Sequence, residues 1–386
     1  MTIKTKTSDY ILMLLAFMPT VALIFSTNST VSKTVLIVES ILLFLLYGKN
    51  HKGFAKRTLP IICLNLFSLI VTLINYTPLG SIIIFLNTIL SFKLFNNISI
   101  NKKTFLLIHL IQGTFLSIYL FAIKRPLYFG NSIVDRFGNH INTNLISILF
   151  FGAFLHISCV IVSVLSNFKC RTIILIVCAL IYGTNVWLYE ARSAMISMLV
   201  FMVIITIKKQ GINYYKYKKI CTLILLLSLL FPFVYMALIN RVEDPVFLGK
   251  SIATRENVWG ECINLIKEHF IFGCGNGISV TMNAYGKSTV SMHNTALSLW
   301  KILGIVPTVT FLTYCINHDN EKLDNNKNIY AQAAFISTLL VCFFESFYTE
   351  ELLYMVFLPF LIVNIKDDNE VKYEKNNPLL LVRKKS

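Results

Sequence analysis

The residues best suited to chemistry in this chain are two arginines and a histidine, Arg192, Arg255 and His293. A guanidinium presents a planar fork of N–H donors that fits phosphate oxygens, so two of them could hold a diphosphate between them. His293 is followed by Asn294 and then by an apolar run. Because a helix N-terminus disfavours imidazolium, we expect this histidine to be neutral and able to accept a proton.

Each of these residues also has a purely structural interpretation. Arg192 follows Glu190 in a short turn between apolar segments, and the two side chains could pair as ions. Arg255 could instead extend its charge to lipid headgroups along its apolar stem. His293 could be a polar anchor at a membrane interface. Single residues therefore leave both the structural and the chemical interpretation open.

The segment that begins at Arg255 predicts an amphipathic helix lying on a membrane surface, because its apolar and small residues recur at helical spacing. Those residues are Trp259, Cys262, Ile263, Ile266 and Phe270. Thr254 is the expected N-cap, which puts Arg255 in the first turn, where the helix dipole favours a bound anion. The glycines in GCGNG at 273–277 match no nucleotide-binding fingerprint and predict a tight turn. Ser291 or Asn294 is the expected N-cap of the next helix.

The elements that must position these residues cross a membrane. Of 386 residues, 55% are hydrophobic and 14% are charged, whereas a soluble domain carries about 25% charged residues. The apolar residues form long blocks, and a bilayer core needs roughly 20 of them in a helix. We predict an all-α polytopic fold with about twelve spans, ten to twelve if short blocks are re-entrant. The blocks lie near 10–26, 33–48, 58–76, 79–95, 104–123, 143–166, 172–188, 194–208, 219–239, 294–316, 329–346 and 351–365.

The distribution of lysine and arginine predicts the orientation. These residues gather in alternate short connections, such as 208–219, and in the basic tail at 366–386. Since lysine and arginine are retained in the cytoplasm, both termini should be cytoplasmic and the long loop 240–293 should face outward. The net charge of +16 is spread over these connections, which argues against a nucleic-acid partner. We treat 1–386 as a single membrane domain.

The remaining ionisable residues predict packing more than chemistry. His109 and His156 fall inside apolar blocks and are expected to be satisfied core histidines. Most of the nine cysteines also lie in apolar blocks, without the spacing of metal ligands, so no metal and no cofactor is expected. Cys262 and Cys274 share the long polar loop, where a disulfide between them is the alternative to two packed thiols.

Four features together resemble the superfamily of bacterial O-antigen ligases and O-antigen polymerases. They are Arg192 in its outward turn, ATRENVWGECINLI at 253–266, GCGNG at 273–277 and SMHNTALSLWKILGI at 291–305. The ligases typically show His followed by Asn, Ser or Gln, nine residues, Gly, two residues and then Gly, Thr or Tyr. Here His293, Asn294 and Gly304 fit this pattern, whereas Pro307 stands in the last position.

The resemblance implies a glycosyltransferase of the lipid-donor (GT-C-like) type in the bacterial inner membrane, with its active loop in the periplasm. It implies a glycan donor on undecaprenyl diphosphate, bound by Arg192 and Arg255, and an acceptor hydroxyl activated by His293. Asn294 and Arg241, which lie in or beside the same loop, are further expected substrate contacts. The diphosphate is already a leaving group, so neither a metal ion nor a nucleotide is expected.

The expected reaction is the transfer of O antigen to the lipid A core. The alternative within the superfamily is the polymerase, which extends O antigen on the same carrier. A flippase for lipid-linked glycans also has about a dozen spans, but it usually needs charged residues along a central cavity and two related halves. This chain concentrates its polar residues in one outward loop. Ligase is therefore the first interpretation and flippase the last.

Overall fold

The computed structural model describes the chain mainly between residues 99 and 344. The described residues are 99–123, 127–129, 132–134, 143–189, 192–207, 212–239, 246–247, 250–251, 253–275, 280–282, 287–289, 292–316, 329–344, 364–366 and isolated positions between 10 and 70. Predictions for Arg241, for the apolar blocks before residue 99 and after residue 346, and for the orientation of the tail concern residues outside this part.

The described part is nearly all helical. Its helices are α1 Lys102–Ile118, α2 Thr143–Val164, α3 Phe168–Leu188, α4 Arg192–Ile207, α5 Tyr214–Ile239, α6 Ala253–Glu268, α7 Thr295–Leu303, α8 Ile305–Ile316 and α9 Ile329–Phe344. A π-helical segment, Tyr119–Ile123, directly continues α1. Among the described residues, four helical segments are long and apolar enough to cross a membrane, and α4 and α9 are shorter apolar helices. The protein is therefore a multi-pass membrane protein, while the count of ten to twelve spans remains a prediction.

Short strands account for the remaining regular structure in the described part. They are β1 Ser99–Asn101, β2 Leu127–Phe129, β3 Ser132–Val134, β4 Val246–Phe247, β5 Lys250–Ser251, β6 Val280–Met282, β7 Lys287–Thr289 and β8 Asn364–Lys366. They pair as two-stranded ladders, β1 with β8 in parallel and the other three pairs as antiparallel hairpins. Each ladder lies outside the apolar helices, as expected for connections at the ends of a helical bundle.

Within the described residues, the predicted blocks agree closely with the helices, with one exception. The block at 143–166 corresponds to α2, and the block at 219–239 lies within α5. The block at 294–316 was predicted as one span, and this is wrong. It is broken at Gly304, which has φ +89° and ends α7 before α8 begins. The nine residues of α7 extend only about 14 Å, less than half of a bilayer core.

The helices form a bundle in which most of the described side chains of α2 are buried. Gly113 of α1 lies directly against α2, because a Cβ added there would be 2.8 Å from Ile157 Cδ1. Close to this contact, Nδ1 of His109 lies 2.9 Å from Nδ1 of His156, and both rings are fully buried. One imidazole donates this bond and the other accepts it. The prediction that these histidines are satisfied core residues is therefore confirmed for the Nδ1 atoms.

A pair of hydrogen bonds defines one end of the bundle. Gln332, in the first turn of α9, accepts from the backbone N–H of Ile212 at 2.7 Å and donates to the carbonyl of Ile212 at 2.9 Å. Ile212 lies between the end of α4 and the start of α5. It follows that α9 and α5 both start at this end and that α4 finishes there. The opposite end of the bundle therefore holds the first residue of α4 and the last turn of α9.

Candidate functional site

Arg255 is the third residue of α6, which begins at Ala253. The prediction that this arginine lies in the first turn is confirmed. The predicted N-cap is wrong, because Thr254 lies inside the helix and a capping residue must lie before its first turn. The first-turn N–H groups of α6 nevertheless give this end of the helix a positive partial charge, which favours an anion beside Arg255.

The amphipathic character of α6 is confirmed, but its apolar face does not lie on lipid. Trp259, Cys262 and Ile266 are each no more than 2% exposed, and they pack against residues of α7 and β6. The protein itself covers this stripe, because α7 supplies a second buried apolar surface. Phe270 was predicted to belong to the same face and is 49% exposed. The helix ends at Glu268, so the helical periodicity no longer controls where that side chain points.

Trp259 connects the arginine helix to the histidine. Its indole N–H donates to the carbonyl of Met292 at 2.8 Å. Trp259 lies four residues after Arg255, on the same face of α6, and Met292 immediately precedes His293. The second turn of α6, which directly follows the turn that carries Arg255, is therefore a neighbour of the His293 turn, although 37 residues separate Arg255 from His293 in the sequence. Sequence reasoning counted Trp259 only as an apolar residue, and the need of a buried indole for an acceptor was the signal it did not use.

His293 has a backbone conformation that is uncommon for residues other than glycine. Its φ is +49°, and within the described residues it is the only residue other than glycine with a positive φ. Such a left-handed conformation costs about 1–3 kcal/mol and persists only where its surroundings fix it. The side chain is half-buried, between the buried residues Met292 and Asn294. The residues on both sides of His293 are thus buried, while its own side chain is partly exposed.

Asn294 is the N-cap of α7, which is one of the two alternatives that the sequence predicts. Its Oδ1 accepts from the backbone N–H of Leu297 at 2.9 Å. The residue is fully buried, and its Nδ2 bonds the carbonyls of Ser228 and Phe343. Since its side chain is engaged inside the protein, Asn294 is better suited to supporting the His293 turn than to the predicted direct contact with substrate.

The described residues of the GCGNG segment, 273–275, belong to the turn that ends α6, as predicted, and this turn packs against the end of α7. Gly273 and Gly275 have φ values of +70° and +75°. The N–H groups of Cys274 and Gly275 donate to the carbonyls of Lys301 and Ile302 at 2.8 and 3.1 Å. These carbonyls belong to the last turn of α7, where no intrahelical donor remains. The turn after α6 therefore completes the hydrogen bonding of α7.

The two cysteines of this region are packed thiols. Cys262 and Cys274 are free and no more than 3% exposed. Burial raises the pKa of both thiols, and the nearby charge of Lys301 partly offsets this shift. Neutral buried thiols fit the packing interpretation, and the structure has no disulfide between them. Lys301 is itself only 1% exposed, and a lysine inside an apolar block was a signal that sequence reasoning passed over.

Arg192 is the first residue of α4 and is half-buried. It therefore lies at the end of the bundle opposite Gln332, where α9 finishes and Asn294 bonds the carbonyl of Phe343. The structure thus brings Arg192 to the same end of the bundle as the His293 turn. Glu190, the alternative ion-pair partner, and Arg241, an expected substrate contact, both lie outside the described residues.

Comparison with known proteins supports the resemblance carried by the motifs. Neither a comparison with curated proteins nor one with solved structures finds a match. A family model does match. Residues 173–312, a stretch that includes Arg192, Arg255 and His293, match the model described as O-antigen ligase.

Proposed function

We propose that this protein is a glycosyltransferase that moves O antigen from undecaprenyl diphosphate to the lipid A core. The observation that carries the proposal is the joining of the arginine helix to the histidine turn by the 2.8 Å hydrogen bond from Trp259 to Met292. It holds the helix that carries Arg255 against the turn that carries His293, a residue able to accept a proton. A reaction that expels a diphosphate and deprotonates a hydroxyl needs those two groups together.

In the proposed reaction, the acceptor hydroxyl forms a bond to the anomeric carbon of the donor glycan. The bond between that carbon and the phosphate oxygen breaks, and undecaprenyl diphosphate leaves with the electron pair. His293 takes the proton of the hydroxyl. Arg192 and Arg255 hold the diphosphate and neutralise the charge that develops on it, so the step needs no metal ion.

The proposed setting is the inner membrane, with both termini in the cytoplasm and the segment 240–293 in the periplasm. The positive-inside rule supports this orientation, since the lysine-rich connection 208–219 lies at the opposite end of α5 from that segment. It is also consistent with the bundle, in which Gln332 and Ile212 mark one end and the His293 turn belongs to the other. Both substrates are lipids and reach the site from the bilayer.

The polymerase is the second candidate, and Pro307 is the observation that favours it. This residue stands where ligases typically carry Gly, Thr or Tyr, and in the structure it lies in the first turn of α8. A proline is well tolerated there, because a first-turn N–H has no intrahelical acceptor. The polymerase shares the donor chemistry and differs in the acceptor, which is the growing glycan.

Deletion of the gene, followed by gel analysis of lipopolysaccharide and of the carrier lipid, tests the proposal. Loss of a ligase should leave unsubstituted lipid A core while full-length O antigen accumulates on undecaprenyl diphosphate. Loss of a polymerase should leave core that carries a single repeat unit, because a separate ligase still acts. A ladder of normal length on the core would overturn both. Re-expression of the wild-type chain should restore the original pattern and serves as the control.

A further inference from the structure

A proline breaks the hydrogen bonding of α5 next to the His293 turn. Pro232 lies inside this helix and is buried. Proline has no N–H, so the carbonyl four residues earlier, that of Ser228, loses its intrahelical donor. Ser228 is only 3% exposed, and a buried carbonyl without a donor is strongly unfavourable. The break therefore creates an acceptor inside the protein that another residue must satisfy.

Asn294 supplies that donor. Its Nδ2 lies 2.7 Å from the carbonyl oxygen of Ser228 and 3.1 Å from that of Phe343. Phe343 belongs to the last turn of α9, where carbonyls also lack intrahelical donors. One amide carries two hydrogens, so it can serve one carbonyl with each. The hydroxyl of Ser228 lies 3.3 Å from the same nitrogen.

The same side chain caps α7 through its oxygen, so Asn294 connects three helices at one point. The carbonyl of Met292, on the other side of His293, is bound by Trp259 of α6. His293 is therefore flanked by two anchored residues and has the strained φ of +49° between them. Neither anchor touches the imidazole ring through these bonds. Both act on the backbone that carries it.

We propose that Asn294 is a positioning residue. By pairing with the carbonyl that Pro232 leaves unbonded, it fixes the direction in which His293 presents its ring to the acceptor hydroxyl. This inference rests on the proposed function, since it supposes that His293 accepts the acceptor's proton. It goes further because it attributes the orientation of His293 to the carbonyl that Pro232 leaves unbonded and to the amide of Asn294. Neither group takes part in the reaction itself.

The decisive variant is Asn294→Asp. An aspartate keeps the oxygen that caps α7 and is as good an N-cap as asparagine. Its second oxygen, however, meets two carbonyl oxygens at hydrogen-bond distance and repels them. The matched control is Asn167→Asp, the same substitution at the N-cap of α3, where the asparagine accepts from the backbone N–H groups of Lys169 and Cys170 at the protein surface.

The assay is transfer by the purified full-length chain in liposomes, with an undecaprenyl-diphosphate-linked glycan and lipid A core. We expect Asn294→Asp to lower kcat by about 100-fold, the loss that a displacement of about 1 Å can cause. The KM for the donor should change little, because the arginines stay in place. Asn167→Asp should keep both constants. Wild-type kcat for Asn294→Asp, or a loss confined to KM, would overturn the proposal.

A second variant decides the matter if Asn294→Asp does not fold. Pro232→Ala restores an N–H at position 232 and draws the carbonyl of Ser228 back toward the axis of α5, away from Asn294. We expect a lower kcat together with a higher melting temperature, a combination that a merely stabilising role for Asn294 would not give. Unchanged kcat for Pro232→Ala would overturn the proposal. If the wild-type chain transfers no glycan at all, the proposed function fails instead, and the two failures are thereby distinguished.

Discussion

The backbone at Gly304 crosses the backbone of the turn after α6 next to Gly273, with no room for a side chain at either glycine. This crossing predicts that a larger residue at Gly304 destabilises the protein. A Cβ added at Gly304 would lie 2.1 Å from the carbonyl oxygen of Ile271, whereas ordinary contacts begin near 3.4 Å. The chain would have to move by more than about 1 Å, and such overpacking costs about 1–3 kcal/mol. Gly304 also has φ +89° and ψ −179°, a region where other residues are strained by about 1–3 kcal/mol. Gly304→Ala should therefore lower the free energy of unfolding by about 2–6 kcal/mol.

Gly183→Ala is the matched control for this variant. Gly183 lies inside α3, and the nearest atom to an added Cβ is Met198 Cε at 3.7 Å, an ordinary contact. Alanine is the better helix former, so this substitution should stabilise the protein by about 0.5–1 kcal/mol. The two variants add the same methyl group and should shift stability in opposite directions.

Unfolding in detergent, followed by tryptophan fluorescence, measures both variants. Trp300 is a local reporter, since its indole N–H donates to the carbonyl of Phe270 beside the crossing at 3.1 Å. We expect Gly304→Ala to unfold at clearly lower temperature than the wild type and Gly183→Ala at the same or higher temperature. Equal midpoints for the two variants would refute the close approach of Gly304 to Ile271 and, with it, the attachment to α7 of the turn that follows α6, residues 269–275.

Three further predictions concern the site. Arg255→Lys should lose nearly as much transfer activity as Arg255→Ala, since a point charge cannot replace a bidentate fork; full activity of the lysine variant at normal protein level would return Arg255 to a headgroup role. His293→Ala should abolish transfer while the protein still inserts and folds, and wild-type turnover would remove His293 from the mechanism. In intact cells, a membrane-impermeant thiol reagent should label a cysteine placed at Lys287 and spare both one placed at Tyr215 and the native, exposed Cys170; the reverse pattern would contradict the proposed orientation.

Local patterns predicted the helices of the described part well. The apolar stripe of α6 is visible in the sequence, because Trp259, Cys262 and Ile266 recur at helical spacing and all three are buried. The cap of α7 was similarly predictable, since Asn294 stands directly before an apolar run and few residue types cap a helix. These features depend only on residues close together in the chain.

Features that depend on distant residues were not predictable. A proline at position 232 indicates a weakened helix, but nothing in the sequence pairs the freed carbonyl of Ser228 with Asn294, 66 residues after that serine. The break at Gly304 was similarly missed, because a glycine within an apolar run is compatible with a continuous span until its neighbour, Ile271, is known. What covers the apolar face of α6 is also a long-range fact. Hydrophobic spacing identifies a face and does not distinguish lipid from protein.

The attachment of the 269–275 turn to α7 has a consequence for how relatives of this chain can vary in length. The turn supplies the N–H groups of Cys274 and Gly275 to the carbonyls of Lys301 and Ile302. An insertion or deletion there would shift the donors out of register and leave acceptors unpaired. Among homologous chains, length changes in the segment between α5 and α7 should therefore accumulate on either side of this turn, while its own residue count stays fixed together with the length of α7.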